Sequence, residues 1–585
     1  MTPFSQRRRN LGAPILVMLA AVAPFLPTLR APFIYDDTTI IRDNVLLRGW
    51  SALWHVWSLP YWPADGADRL GLYRPLQIAL LAGVWNATGG AAFWFHVYAI
   101  ALSALTAVAV WWLLQRAAGE TAALIAAVWF SVHPLHVEAI ASAANSSELV
   151  VVLCIIGLVG ILAGTEPRPQ DMRRGWLRAA AVGALAAAAL LAKESGLLAL
   201  PIAALTVWGW RRSSEPSPSG AVFMRSNLRV WAASGCCLAA ALLARIVVLG
   251  APIARTSIAA QGLGGMSGSE RVTAMLSLWP RIVGMLAWPT SLAPYYGPST
   301  FPSPRLGLAL MAIIVVAAII VLAMDLARRG DRRPIVTLGW IALTYVPASN
   351  LLTATGQILS DRTLMGATVG VALGVAWAID RSAPWARRVA IGVAMLVIAR
   401  SVIVATNYSV AWTSHRALWT RLVDTYPDEH LGYKLLGMDA RARGDTTRAL
   451  ALLTRAMTMA PADRQIRFEY AQLLYGTGRF AASARVMAPL LRDPDARSER
   501  AVVGLYLDAV GRSAGPAAVV RAAAPLLHSE AGPTAALFAG VAQEALHNPL
   551  AADSLYALGL RRDPTDTLLT AHRAMLAAKQ RRGGP

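Results

Sequence analysis

The chain has few charged side chains for its 585 residues. Only 15% of the residues are charged, whereas about a quarter are charged in soluble globular domains. Together with a hydrophobic content of 56%, this predicts a polytopic membrane protein with room for more than one domain. Cysteine is scarce as well. Cys154, Cys236 and Cys237 lie inside apolar segments without metal-ligand spacing, which argues against a disulfide framework and a cysteine metal site.

Acidic residues are too few to balance the arginines, and the formal net charge is +21. In a soluble protein this charge would indicate a nucleic-acid partner. Here the arginines cluster in short loops between apolar runs, which is the pattern that fixes topology in a membrane. Nucleic acid is therefore not an expected partner. The alanine- and arginine-rich, lysine-poor usage indicates a genome of high GC content, and a bacterial inner membrane is the expected location.

Apolar runs of membrane-spanning length, about 20 residues, recur through the first 410 positions. Spans are predicted near residues 11–30, 93–115, 119–133, 148–164, 177–192, 196–210, 229–249, 305–327, 334–352, 363–380 and 388–406. The first run follows Arg7, Arg8 and Arg9 and is interpreted as a retained span, with a cleaved signal peptide as the alternative.

A cytoplasmic N-terminus makes the loop arginines consistent with the positive-inside rule. The cytoplasmic loops then hold Arg116, Arg168, Arg173, Arg174, Arg178, Arg211, Arg212, Arg225, Arg229, Arg328, Arg329, Arg332, Arg333, Arg381, Arg387 and Arg388. The same assignment places the first long loop, with Asp36 and Asp37, on the external side. It also places the C-terminal third of the chain there.

The composition changes after residue 406, where charges become frequent and apolar residues take helical spacing. Gly444 and Gly478 are 34 positions apart, and residues 433–461 match the spacing of a tetratricopeptide repeat. An unrelated helical domain is the alternative. The expected fold class is therefore all-α: a transmembrane helical bundle in residues 1–410, then an α-solenoid of tetratricopeptide-like repeats in residues 411–585.

Ionisable residues collect at the external ends of the predicted spans, where they are costly and usually functional. Arg74, Arg362 and Lys193 are suited to holding a phosphate at the membrane surface. A carboxylate beside them could act as general base on an incoming hydroxyl group. The combination predicts transfer of a group from a lipid phosphate. The gathering of carboxylates and imidazoles also permits a divalent metal, although the spacing does not require one.

Five motifs in order resemble one family: "FIYDD", "YRPL", "HPLHVEAIA", "LLAKESGLLALP" and "SDRTLMGATVG", followed by tetratricopeptide repeats. The chain resembles the TMTC-type O-mannosyltransferases and their bacterial relatives, which belong to the GT-C superfamily of membrane glycosyltransferases. The resemblance implies a polyprenyl-phosphate-linked sugar as donor and an external protein hydroxyl as acceptor. The last motif departs from the family's usual "ADRYLYLPS", which implies an altered sugar or lipid pocket.

The resemblance also implies roles for individual residues. Asp36 or Asp37 would be the catalytic base, with Asp36 favoured, and Arg74, Arg362 and Lys193 would bind the donor phosphate. The remaining candidates, Tyr73, His136, Glu138 and Asp361, would position the acceptor or support the site. The repeats would bind the acceptor or a protein partner. Membrane lipids would surround the bundle.

Simpler structural roles remain open for these residues. The two aspartates could end a helix, Lys193 and Glu194 could form an internal ion pair, and Asp361 and Arg362 a local one. Two other functions compete with an enzyme. A non-catalytic scaffold would use its repeats to recruit envelope proteins. A transporter would carry inverted repeats and charges near the midplane of the bilayer. Arg400, inside the last predicted span, has no explanation at the sequence level.

Overall fold

A computed structural model describes residues 11–62, 71–164, 172–210, 228–250, 263–300 and 305–582. Within these residues all regular structure is helical, and the predicted all-α fold class is confirmed. The chain divides into two compact units, Met1–Tyr426 and Pro427–Pro585. The composition change predicts a boundary at residue 410, whereas a further helix up to Thr425 still groups with the first unit. The predicted cytoplasmic arginines Arg7, Arg8, Arg9, Arg168, Arg211, Arg212 and Arg225 lie outside the described residues.

Seventeen α-helices are described in the first unit. They are α1 (Gly12–Val22), α2 (Ala52–His55), α3 (Pro75–Thr88), α4 (Ala92–Ala117), α5 (Glu120–Ser131), α6 (Val137–Ala141), α7 (Ser147–Ala163), α8 (Met172–Ala192), α9 (Ala199–Trp210), α10 (Leu228–Leu249), α11 (Gly268–Ser277), α12 (Trp279–Ala287), α13 (Leu306–Arg328), α14 (Arg333–Tyr345), α15 (Met365–Arg381), α16 (Pro384–Ala411) and α17 (His415–Thr425).

Nine of the eleven predicted spans have a counterpart in the described residues. Eight helical segments are long and apolar enough to cross a membrane: Gly12–Arg30, Ala92–Ala117, Ala143–Ala163, Met172–Ala192, Leu228–Leu249, Leu306–Arg328, Asp361–Arg381 and Pro384–Ala411. A ninth is the pair Glu120–Ser131 and Pro134–Ala141, bent by 45°. At the other two positions the described helices, α9 and α14, have only 12 and 13 residues.

The two short helices α9 and α14 pack closely against each other. Trp340 donates a hydrogen bond from its indole Nε1 to Thr206 Oγ1 over 2.9 Å. Small residues permit the approach: a Cβ at Gly339 would lie 2.1 Å from the Leu205 side chain. The turn at Val346–Ala348, which contains Pro347, ends α14, because proline cannot continue the helical hydrogen bonding.

The bend between α5 and α6 brings polar side chains into the interior of the bundle. Proline lacks a backbone N–H and excludes the preceding residue from helical conformation, so the helix breaks at His133 and Pro134. The chain then resumes as the 3₁₀ turn Pro134–His136 and the short helix α6. His136 and Glu138 are thereby buried rather than presented to solvent.

Arg400 has a clear structural role. Its guanidinium lies over the ring of Trp288, 4.0 Å from the centroid, and donates a hydrogen bond to the Pro289 carbonyl over 2.8 Å. An arginine within a span is tolerated when its head group finds such partners. The residue therefore ties α16 to the segment that follows α12.

The second unit contains α18 (His430–Ala442), α19 (Thr446–Met459), α20 (Arg464–Gly476), α21 (Phe480–Met487), α22 (Pro494–Ser498), α23 (Arg500–Ala514), α24 (Pro516–Ala523), α25 (Gly532–Ala545), α26 (Pro549–Arg562) and α27 (Thr567–Arg582). Neighbouring helices pair through small residues, as at Gly437, where a Cβ would lie 2.7 Å from the Leu453 side chain. Gly444 and Gly478 take positive φ angles of 79° and 74° in the turns between helices.

Candidate active site

The loop that follows the first span is fixed by buried aromatic contacts. His96 Nε2 lies 3.1 Å from the carbonyl oxygen of Ala31, which anchors the start of the loop. Tyr35 has a left-handed φ of 56°, which is rare for a residue with a bulky side chain. Its ring packs against Trp412 and Trp419 at centroid distances of 5.8 and 5.7 Å. This packing holds the backbone conformation from which Asp36 and Asp37 project.

Asp37 is fully buried and hydrogen-bonded on both oxygens. Oδ1 accepts hydrogen bonds from Ser142 Oγ (2.8 Å) and the Ala144 amide (2.9 Å), and Oδ2 accepts one from the Ala143 amide (3.1 Å). Burial raises the pKa of Asp37 to about 7, although these three donors pull it downward. Asp37 therefore fastens the loop to the turn before α7.

Asp36 has a different environment from its neighbour. Its side chain keeps 19% of its surface exposed. Oδ2 accepts a hydrogen bond from Asn145 Nδ2 over 3.2 Å and lies 3.9 Å from a terminal nitrogen of Arg362. An oriented, accessible carboxylate beside a cation has the geometry that a general base needs.

Arg362 is held by Glu138 from the bent segment. One terminal nitrogen and the backbone amide of Arg362 both donate to the Glu138 carboxylate, the amide over 3.0 Å. The other terminal nitrogen donates to Gln357 Oε1 over 3.1 Å. Glu138 is fully buried. It therefore serves as the counter-ion that fixes the guanidinium beside Asp36.

Arg74 belongs to a second ion-pair group. Its guanidinium contacts Glu194 Oε2 through Nε (2.9 Å) and a terminal nitrogen (2.7 Å), and lies over the Tyr61 ring, 4.9 Å from the centroid. Arg245 joins from α10, donating to Glu194 Oε1 (3.2 Å) and to the Gly71 carbonyl (2.9 Å). Burial alone would raise the pKa of Glu194, but Arg74 and Arg245 lower it to about 2.

Lys193 lies between these two groups. It donates to the Glu148 carboxylate at the start of α7. Burial lowers the pKa of the Lys193 ammonium group; Glu148 opposes this effect, and the positive charges of Arg74 and Arg362 add to it. The structure thus brings the three predicted phosphate-binding cations into one neighbourhood, in which Arg362 lies 3.9 Å from the Asp36 carboxylate.

The other candidate residues are buried around this neighbourhood. Tyr73 donates its hydroxyl to the Trp57 carbonyl over 2.6 Å and so fixes the first long loop. His136 Nε2 lies 2.9 Å from Thr368 Oγ1. Asp361 accepts a hydrogen bond from the Tyr296 hydroxyl over 2.5 Å. Their assigned roles at the site stay predictions. Among the described residues, no group of three or more His, Cys, Asp or Glu side chains is placed to hold a metal ion.

Sequence reasoning missed Arg245 and Gln357. Arg245 is a lone arginine within an apolar span, and that feature by itself indicates a buried partner. Gln357 gave no comparable signal, because its contact with Arg362 depends on the fold of the loop before α15.

Comparisons with known proteins bear on the repeats and on the family of the chain. Residues 440–501 match a model described as tetratricopeptide repeat, which confirms the predicted repeats. The chain is 32% identical to the Drosophila melanogaster protein O-mannosyl-transferase Tmtc2 over 186 residues, covering 31% of the chain and 20% of that relative. It is 23% identical to Drosophila melanogaster Tmtc3 over 467 residues, covering 68% of the chain and 49% of that relative.

The chain is related to the TMTC-type protein O-mannosyltransferases. The resemblance that the motifs predict is thus confirmed. Human TMTC1 is a further relative, 24% identical over 241 residues that cover 38% of the chain and 27% of that protein. The matches span from about a fifth to about half of the lengths of these relatives.

Proposed function

We propose that the chain is an integral-membrane glycosyltransferase of the GT-C type. It transfers a mannose-like sugar from a polyprenyl phosphate to a hydroxyl group of an external protein. Asp36 is the catalytic base. The active site and the repeats face the external side, in a bacterial inner membrane. The names of the relatives support the transferase activity, and the geometry around Asp36 supports the residue assignment.

One observation carries the proposal: Asp36 is accessible, oriented by Asn145 and 3.9 Å from Arg362. In the reaction, Asp36 accepts the proton of the acceptor hydroxyl while that oxygen attacks the anomeric carbon of the sugar. The bond between this carbon and the phosphate oxygen breaks, and its electron pair leaves with the polyprenyl phosphate. The proton ends on the Asp36 carboxylate, so charge and atoms balance.

The cations of the site stabilise the leaving phosphate. Arg74, Arg362 and Lys193 each contact a glutamate, which holds the cation in place before donor binds. An arginine has five N–H donors, so a guanidinium can keep its glutamate partner and still contact a phosphate oxygen. Donors fixed in advance stabilise developing charge without reorganisation.

In this proposal the repeats bind the acceptor protein or a partner protein. Stacked helix pairs build a concave surface that binds extended segments of other proteins. Residues 440–501 form the part that matches the repeat model. We therefore assign the repeats to capture of an acceptor or a partner protein on the side of the active site.

The proposal is tested by supplying the full-length protein with labelled mannosyl polyprenyl phosphate or with labelled GDP-mannose. Polyprenyl-linked mannose should label acceptor protein, and the nucleotide sugar should not. Asp43→Asn is the matched control for Asp36→Asn, since Asp43 lies in the same loop with an exposed side chain paired to Arg42. Transfer should persist in the control and fall in Asp36→Asn. A scaffold predicts no transfer from either donor, and this result would reject the enzyme.

A further inference from the structure

A second charged cluster lies at the opposite end of α15 from Arg362. The 17 residues of α15 separate the two clusters by about 25 Å, at 1.5 Å per residue. Here the ends of five helices surround a cleft of about 470 Å³. Among the described residues, its charged lining consists of Arg116, Arg329, Arg332, Arg333, Arg381 and Asp331.

Several of these arginines are fixed by neighbouring side chains. Arg116 lies over the Trp112 ring and Arg332 over the Trp208 ring, 3.7 and 4.8 Å from the centroids. Each guanidinium is therefore held against a ring, although Arg116 is exposed and Arg332 is half-buried. Nη1 of Arg332 also lies 3.5 Å from the Trp208 carbonyl oxygen, and a stacked guanidinium can direct its further N–H groups to an anion. The cleft is thus a concave surface lined by the N–H donors of guanidinium groups.

Among the cleft residues that the structure describes, positive charge is in excess. Arg333 contacts Asp331 at 2.9 Å and Asp380 at 3.1 Å. The same two carboxylates also serve Arg381, 3.5 Å from Asp331, and Arg387, 3.7 Å from Asp380. Two aspartates are therefore shared by three arginines. A bound anion would neutralise the remaining positive charge.

Clustering of arginines at one end of a membrane bundle does not by itself indicate a ligand, because loop arginines also fix the topology of the protein in the membrane. The positive-inside rule does not, however, require the arginines to line a concave cleft. Basic pockets between membrane helices are known to accept anionic head groups. Helix α13 ends beside the cleft, and only 17% of its most apolar stretch is buried within the protein. Acyl chains can lie along such a helix while a head group reaches Arg329.

We propose that this cleft binds the phosphate head group of an anionic membrane lipid. The site lies at the other end of the bundle from the glycosyltransferase centre and does not depend on that activity. Its chemistry is recognition of a phosphodiester by several guanidinium groups, which bind phosphate oxygens through paired N–H donors. The apolar neighbour α13 favours a lipid over a free phosphate ion.

The test uses the detergent-purified full chain and native mass spectrometry of bound lipid. Dihexanoyl phosphatidylglycerol, dihexanoyl phosphatidylcholine and inorganic phosphate are the three probes. Phosphatidylglycerol should bind at least about tenfold more tightly than phosphatidylcholine, and inorganic phosphate at equal concentration should not displace it. Equal binding of both lipids, or displacement by phosphate, would overturn the proposal. These measurements on the unaltered chain need no variant to fold.

Variants locate the binding in the cleft. The triple substitution Arg116→Gln, Arg332→Gln and Arg381→Gln should weaken phosphatidylglycerol binding at least about tenfold. The control triple Arg173→Gln, Arg328→Gln and Arg388→Gln removes the same charge from the same end of the bundle, outside the cleft lining. It should change binding by less than about twofold. Equal losses of phosphatidylglycerol binding in both triple variants would mean that the lipid is attracted by the overall positive charge, and this result would reject the site. If the first triple does not fold, Arg381→Gln alone is compared with Arg388→Gln.

Discussion

The two ends of α15 differ in how their positive and negative side chains are balanced. At the Arg362 end, cations and carboxylates are paired, and Asp36 is left accessible among them. At the Arg381 end, arginines outnumber the aspartates that they share. The paired end suits the proposed transfer, in which a proton and a phosphate are handled at fixed positions. The arginine-rich end can hold an anion, and it needs no reactive carboxylate.

The largest expected effect on stability lies at the paired end. Arg362→Gln leaves Glu138 buried without its counter-ion, and breaking a buried pair in this way costs about 3–5 kcal/mol. The free energy of unfolding in detergent, measured by titration with SDS, should fall by that amount. Arg362→Lys should recover part of the loss because it restores the charge. A loss below about 1 kcal/mol would show that the pair does not hold the site together.

A smaller effect depends on pH and concerns Asp37. Its pKa of about 7 in the folded protein lies above the ordinary value of 3.8, so the folded state binds the proton more tightly. The resulting stabilisation is complete below about pH 4 and is lost as the pH rises to about 7. The melting temperature should fall over this interval relative to that of Asp37→Asn. Parallel pH profiles for the two proteins would contradict the assignment.

The smallest effect lies at the arginine-rich end. Arg329 pairs with Asp325 one helical turn away, at 2.8 Å, and 73% of its side chain is exposed. Exposed pairs of this kind contribute little, about 0.3–0.5 kcal/mol. Arg329→Gln should therefore change the free energy of unfolding by no more than about 0.5 kcal/mol. A loss of unfolding free energy as large as that of Arg362→Gln would contradict the proposed difference between the two ends of α15.

The helices and repeats were predictable because their signals are local. Apolar runs of sufficient length identify spans, and the repeat shows itself in the spacing of Gly444 and Gly478. The lengths of α9 and α14 were less predictable, because apolar composition alone does not show where a 3₁₀ turn or Pro347 interrupts a segment.

The site was predictable only in part. Motifs at the ends of spans indicated which cations and carboxylates gather. They favoured Asp36 over Asp37 only slightly, because the distinction depends on a turn more than 100 positions later that supplies the Ala143 and Ala144 amides. The pairing of Arg362 with Glu138 likewise joins residues 224 positions apart. Such contacts exist only in the folded bundle.

The most direct test of the account compares Asp36→Asn with Asp37→Asn, recording both transfer from mannosyl polyprenyl phosphate and the melting temperature. Loss of a general base lowers rates by about 10²–10⁴-fold, so Asp36→Asn should lose transfer to that extent and keep the melting temperature of the unaltered protein. Asp37→Asn should be less stable at acidic pH and keep most of its transfer rate per folded molecule. Transfer at the unaltered rate by Asp36→Asn would contradict the account.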